Sequence, residues 1–377
     1  MSSGCEASAI VIGAGIAGAS AACALAERGT VILLEQADSA GYHASGRSAS
    51  VLSETSGHRV VCALAAASRA FFVSPPAGFV DHSLLSPRGL LWVGEETDVD
   101  LLDELARSGP TIAPSVRRLS PAEVLALVPH FREHAVAGGG TFEPDAMAID
   151  TDALLQGFLR GLRLRGGRLI ASSEATELRR VGNTWEVTTR EESLRAPVVV
   201  NAAGAWGDAV AERAGVPGVG LEPRRRTACI AALADIDARL PLVMDVAGRY
   251  YFEPEAGGLL ISPADETLSE PCDARAEEID VALALHRVQE ATTLPLRSIR
   301  RAWAGLRTFS PDGAPVVGED PSAAGFWWLV GQGGGGIKTA PAMADVLASM
   351  VHGERFPTAI TDRNVSFADL SPSRFRG

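Results

Sequence analysis

Residues 8–35 read SAIVIGAGIAGASAACALAERGTVILLE, and this stretch decides the fold. Ala9–Ile12 is a short apolar run, as a parallel strand covered on both faces requires. Gly13-Ala14-Gly15-Ile16-Ala17-Gly18 comes directly after it. An alanine-rich helical run comes next and stops at Gly29, a residue suited to ending a helix. Val31–Leu34 is a second apolar run, and Glu35 stands at its end. Each glycine has a task. Gly13 permits the tight turn, Gly15 lets the backbone approach a pyrophosphate, and Gly18 lets helix and strand pack closely. The helix N-terminus favours the negative charge placed there. Glu35 falls about 20 residues beyond Gly13, the spacing of a carboxylate that grips a ribose hydroxyl. The order of these features predicts a dinucleotide site.

Residues 36–60 discriminate between the dinucleotides. An NAD enzyme would continue in further strand–helix repeats. Here the chain instead turns irregular, around ADSAGYHASGRSASVLSETSG. A small-residue loop with one arginine, just past the ribose acid, suits a cofactor that continues inward. A plain surface loop is the alternative reading.

The 377 residues suffice for one large or two modest domains. A net charge of −12 argues against nucleic-acid binding, which wants a basic face. No apolar run approaches the ~20 residues needed to span a bilayer. The opening residues carry no basic n-region, so no signal peptide is expected. Five scattered cysteines, Cys5, Cys23, Cys62, Cys229 and Cys272, fit a reducing cytoplasm better than a disulfide frame or a zinc site. The seven histidines show no metal-ligand spacing, and no metal is expected.

Farther along, Ser120-Pro121-Ala122-Glu123 is a capping box, and Asp150 opens a helix. Gly182-Asn183 joins two strand-like runs as a hairpin turn. APVVVNAAGAWGDAVAERAG reads as strand, glycine turn and helix, and the chain from 224 reads as antiparallel strands. Strand–helix character thus recurs at the N-terminus, around 150–215 and at the C-terminus. Mixed β character fills 60–150 and 224–304.

With these motifs the chain resembles the FAD-dependent D-amino acid oxidase and dehydrogenase family, among the glutathione-reductase-like flavoproteins. The residues that carry the resemblance are VIGAGIAGAS with Glu35, GYHASGRSAS, IDTDALLQGFLRG, VVVNAAGAWGDAVAERAGV, WAGLRTFSPDGAPVVG and GFWWLVGQGGGGIKT. ASRAFF, PPAGF and LLSPR make it similar to the bacterial D-arginine dehydrogenase subgroup. The resemblance implies an α/β fold of mixed α+β character. A Rossmann-like FAD-binding domain (about 1–60, 150–223 and 305–377) would interleave with a substrate domain (about 61–149 and 224–304) on a mixed, largely antiparallel sheet. It implies non-covalent FAD, because AGLRTFSPDG holds no cysteine where sarcosine-type relatives attach flavin. It also implies hydride transfer from a small amino-acid or amine substrate, giving an imino acid that hydrolyses to a 2-oxo acid and ammonia.

Positions transfer residue by residue. Gly13, Gly15, Ile16, Ala17, Gly18, Glu35 and Gln36 would hold the adenosine and pyrophosphate. Gly46, Arg47 and Ser48 would line the pyrophosphate and ring end, with Ala175, Ala203 and Gly204 beside the cofactor. Gly333, Gly334, Gly335, Gly336, Ile337, Lys338 and Thr339 would approach the flavin ring. Arg226, Tyr251 and Arg307 match the positions that bind the substrate carboxylate, a task suited to the arginine fork. His43 is expected to pack within its loop, and no general base stands out.

The departures matter as much. Arginine-accepting members carry an acid at the place of Leu90, a lid tyrosine at Ser56 and a histidine at Val51. Without the acid, a cationic side chain would be buried unpaired. The expected substrate is therefore a D-amino acid with a neutral or apolar side chain rather than D-arginine or D-lysine; Glu54 is the residue that could rescue a cation. An N-alkyl amino acid, a specialised-metabolite amine or a 2-hydroxy acid is the alternative. GGLLISPAD lacks the lysine that activates dioxygen in sarcosine-type oxidases, which favours a dehydrogenase using a quinone or another acceptor over dioxygen. Lys338 is the sole lysine among 34 Lys+Arg. Sarcosine-type relatives use a lysine there to bind the substrate carboxylate; a lysine on an exposed helical turn is the other reading. Gly335, bulky in the close subgroup, suggests a more open site. An NAD-linked reductase would need a second GxGxxG or a CxxC, and neither is present. A non-catalytic flavin subunit would not need the Arg226, Tyr251 and Arg307 set.

Overall fold

A computed structural model describes residues 5–111, 113–234 and 236–376. The opening stretch folds as its pattern requires. Strand Ala9–Ile12 runs into helix Ile16–Leu25, and strand Val31–Leu34 pairs in parallel beside the first. Both strands are fully buried. They sit inside a six-stranded sheet ordered Arg168–Ile170, Val31–Leu34, Ala9–Ile12, Val198–Asn201, Phe326–Val330 and Val316–Glu319. Only the last strand is antiparallel.

Helices Ile16–Leu25, Thr151–Leu164, Gly336–Val351 and Arg59–Val73 build one core over this sheet, with Ala19, Leu64, Phe158 and Leu347 inside it. On the other face Trp185, Val187 and Leu194 of a hairpin sheet pack against Ile10, Ile32 and Trp328. Asp150 caps the helix Thr151–Leu164, and Ser120 and Glu123 form the expected capping box. Helix Arg59–Val73 packs in the core over the six-stranded sheet, so the expected boundary at 60/61 cuts through it.

The second layer is a ten-stranded sheet, antiparallel except where Leu90–Gly94 pairs with Leu242–Asp245. Its strands alternate as a two-faced sheet must. Leu91, Cys229, Phe252 and Ile261 face helix Glu278–Ala291. Their chain neighbours Leu90, Ala228, Tyr251 and Leu260 form a separate apolar cluster on the opposite face. That face turns toward the loop after Val31–Leu34, since Ala49 and Val51 pack on it. The site lies between this face and the six-stranded sheet. The fold is thus a mixed α/β architecture of several sheets. Among the described residues, no helix is long and apolar enough to cross a membrane.

Candidate active site

A space of about 1600 Å³, its mouth included, runs from Glu35 and Gln36 at one end to Arg226, Tyr251 and Arg307 at the other. Its first wall is backbone. Gly13 has φ +100°, and a Cβ there would sit 2.6 Å from the Ala202 carbonyl oxygen. A Cβ on Gly18 would sit 1.8 Å from the Gly13 carbonyl oxygen, so Gly18 serves helix–strand packing and does not line the cavity. The turn is braced by its own polar groups. Ala14 N–H and Ala37 N–H donate to the two carboxylate oxygens of Glu35 at 2.8 and 2.9 Å. Ile16 N–H donates to Ser45 Oγ at 2.9 Å. Glu35 therefore orders the turn as well as facing the cavity.

Most of the expected cofactor positions meet here. Gly13, Gly15, Ile16, Ala17, Glu35, Gln36, Arg47, Ser48, Ala175, Ala203, Gly204, Gly333, Gly334, Gly336 and Ile337 all line the cavity. Gly46, Gly335, Lys338 and Thr339 do not. A Cβ on Gly46 would meet the Gly41 carbonyl oxygen at 2.6 Å, and one on Gly335 would meet the Val61 side chain at 2.5 Å. Both glycines serve protein contacts, and Val61 fills the space that an open site at Gly335 would need. Thr339 Oγ1 donates to the Gly335 carbonyl within its own helix at 3.0 Å.

Two of the cations are spent on the protein. The Arg47 guanidinium donates to the carbonyls of Ala274 at 2.7 Å and Ala304 at 3.0 Å, and to the Asp273 carboxylate. It clasps the loop after Val31–Leu34 to strand Ile299–Phe309 and to the segment at 273–274. The buried Lys338 ammonium donates to Ser53 O at 2.9 Å and to Ser56 O and Oγ at 2.7 Å each. Burial lowers its affinity for a proton. From the other side the Glu143 carboxylate accepts from Ser53 Oγ, Glu54 N–H and Thr55 Oγ1. Lys338 thus pins the segment 53–56 and is not on the cavity wall. Glu54 is buried and paired with Arg69, so it is not free to meet a cationic substrate.

Arg307 differs. Among the described residues no side chain or carbonyl accepts from its guanidinium, which lies on Gly334; a Cβ there would come within 3.1 Å of a guanidinium nitrogen. Burial, then the neighbouring Arg226, push its pKa down to about 10, so it stays charged at neutral pH; the Glu266 and Asp265 carboxylates act on it only through space, with no direct contact among the described residues. Strand pairing brings the two arginines together, because Arg226 stands opposite Gly305 and Arg224 opposite Arg307. Arg226 lies 5.9 Å over the Tyr251 ring.

The cavity also holds residues that local patterns did not single out: Ser45, Ser173, Trp206, Cys272, Thr308 and Gln332. Ser45 sits in the loop GYHASGRSAS, but only its bond to Ile16 reveals its task. The His43 ring lies 4.7 Å from Trp206, and burial lowers its pKa. Three polar atoms on this wall, His43 Nδ1, Thr308 Oγ1 and Gln332 Nε2, are buried without a partner. Orphaned donors around a glycine-lined cleft fit a long polar cofactor. Among the described residues, no cluster of three metal-ligating side chains occurs.

Comparison with known proteins agrees with this geometry. Glycine oxidase of Pseudomonas aeruginosa is 26% identical over 366 residues, covering 91% of this chain and 94% of the relative. FAD-dependent oxidoreductase domain-containing protein 1 of Mus musculus is 26% identical, covering 77% of this chain and 65% of the relative. Human dimethylglycine dehydrogenase is 25% identical, covering 63% and 30%. The chain therefore spans less than two thirds of the last two. The solved structure of glycine oxidase from Geobacillus kaustophilus superposes with a TM-score of 0.81 at 22% identity, covering 93% of this chain and 96% of that one. L-proline dehydrogenase from P. horikoshii superposes at 0.83 with 20% identity, covering 99% and 98%. The family model of the DAO FAD dependent oxidoreductases matches residues 8–350, and the chain belongs to that family, with FAD as its cofactor.

Proposed function

We propose that this protein oxidises the Cα–N bond of an amino acid whose carboxylate is held by Arg307, with Tyr251 and the already paired Arg226 beside it. The unpartnered Arg307 guanidinium on the cavity wall carries the reading. A bidentate arginine–carboxylate pair would fix the substrate and orient its α-hydrogen. FAD, when bound, accepts the hydride. Gly13, Gly15, Glu35, Gly333 and Gly334 would hold it. Tyr251 would donate to the same carboxylate, and the apolar face behind it would exclude water.

That face also supports the side-chain preference. Ala228 and Tyr251 line the cavity and are backed by Leu90, Ile230, Leu242 and Leu260, and Leu90 pairs with Glu143, whose carboxylate is already used by Ser53, Glu54 and Thr55. A neutral or apolar D-amino acid fits better than D-arginine or D-lysine. N-alkylated glycines are the second reading, favoured by the similarity to glycine oxidase over 94% of that relative and to dimethylglycine dehydrogenase. The division into a cofactor domain and a substrate domain remains part of this proposal, with helix Arg59–Val73 on the cofactor side. So does transfer of electrons to a quinone or similar acceptor, and so does non-covalent FAD.

Anaerobic flavin bleaching against D-amino acids, L-amino acids and N-methyl glycines tests the reading. Neutral D-amino acids should reduce the flavin fastest. D-arginine as the best substrate would overturn the side-chain preference, and no bleaching by any of them would overturn the reaction. Acid precipitation should release all the flavin.

A further inference from the structure

We propose that Glu266 sets the charge of the substrate site so that it takes one carboxylate and rejects a second. This rests on the carboxylate-binding reading above and names the substrate class more narrowly. Three arginines stand together on the strands Glu222–Ala232 and Ile299–Phe309: Arg224, Arg226 and Arg307. Their acidic partners are unevenly shared. Arg224 has Glu222 at 2.7 Å and a second contact to Glu266 at 3.1 Å. Arg226 has one carboxylate, the other oxygen of Glu266 at 2.8 Å, plus the Asp265 carbonyl at 2.7 Å. Arg307 has none among the described residues.

None of the other charges nearby touches Arg307, although the Asp265 carboxylate acts on it through space. The Asp265 carboxylate turns away, accepting from Thr227 N–H at 2.7 Å and Oγ1 at 3.1 Å. Arg225, 4.0 Å from Asp265, is paired with Glu277 and Asp280. Lys338 is held by Ser53 and Ser56 beside Glu54 and Glu143, and it and Arg307 feel each other only through space. With Arg224 and Arg226 contacted by Glu222 and Glu266, Arg307 is the one guanidinium of the three that no carboxylate touches among the described residues, and it lines the cavity. One substrate carboxylate neutralises it. A second carboxylate would reach an arginine already satisfied and would face the like charge of Glu266. Glu266 lies on the segment after strand Gly258–Ser262, whose two-residue strand Thr267–Leu268 pairs with Arg224 and Arg225. Nothing in its local sequence marks it; the strand pairing brings it to Arg226.

The test titrates the FAD-loaded protein with acetate and with malonate, following the flavin absorbance. Wild type should bind malonate no more tightly than acetate. In Glu266→Gln, which keeps the shape and removes the charge, the malonate-to-acetate affinity ratio should rise at least tenfold. Glu222→Gln, at a carboxylate that touches Arg224 and not Arg226, should change the ratio by less than about threefold, because Glu266 still spans both arginines. A wild type that prefers malonate tenfold, an unchanged ratio in Glu266→Gln, or no spectral response to either anion would overturn the proposal. The wild-type comparison decides even if the variant loses its flavin. These titrations need no turnover, so an absence of amino-acid-driven bleaching would sink the proposed reaction and leave this inference standing or falling by itself.

Discussion

The two ends of the cavity are built in different ways. At the Glu35 end much of the wall is the stretch from Ile12 to Gln36, and its bracing bonds lie within that neighbourhood: Ala14 to Glu35, Ala37 to Glu35. At the Arg307 end the wall is side chains, from strands that lie far apart in the chain and meet only through antiparallel pairing. The first end tolerates little change in shape, whereas the second tolerates little change in charge.

Removing the charge at the second end should have the largest effect. Arg307→Gln should lower kcat/KM for the carboxylate substrate about a thousandfold, roughly 4 kcal/mol, with FAD content retained. Loss of FAD in that variant would show that the two ends are not separate. Gly18→Ala tests the first end by shape. Its Cβ would be driven into the Gly13 carbonyl, costing about 3 kcal/mol and collapsing the flavin content of purified protein. Normal flavin loading would break the contrast.

A third test concerns the buried Glu253, two residues beyond Tyr251 on the same strand. Burial pushes its pKa from 4.5 up to about 7. The folded state therefore keeps a proton that the unfolded chain releases, and stability falls as pH rises from about 4.5 to 7. Glu253→Gln should lack that slope and gain about 3 kcal/mol on wild type between pH 4.5 and 8, read by denaturant midpoints. Parallel pH curves would show that Arg88, 3.5 Å away, holds the carboxylate ionised. The smallest effect is expected at Lys338. Lys338→Met leaves the carbonyls of Ser53 and Ser56 without their donor, which should cost about 1–2 kcal/mol of stability. Substrate KM should stay within about threefold. A large rise in KM at unchanged stability would return Lys338 to the carboxylate.

Much of the cofactor end was legible because its determinants are local. A tight turn, a close backbone approach and a ribose acid each demand a residue type at a fixed offset, and Gly13, Gly15 and Glu35 stand at those offsets. The glycine run was legible only in part. Gly333 and Gly334 face the cavity, while Gly335 is needed against Val61, and sequence cannot say which neighbour forbids a Cβ. The cations were the least legible. Arg47, Arg226, Arg307 and Lys338 are equally charged in a sequence, but Arg47 and Arg226 are consumed by carbonyls and carboxylates, and Lys338 by carbonyls and a hydroxyl, brought from elsewhere in the chain.

The residues alone therefore establish the strand–glycine–helix unit, the dinucleotide and the layered α/β plan, because short-range sterics and hydrophobic periodicity act over a few residues. Tertiary structure decides which cation stays free. A guanidinium acquires or lacks a partner through contacts between distant segments, and the desolvation that makes an unpaired charge matter exists only once those segments have packed around it.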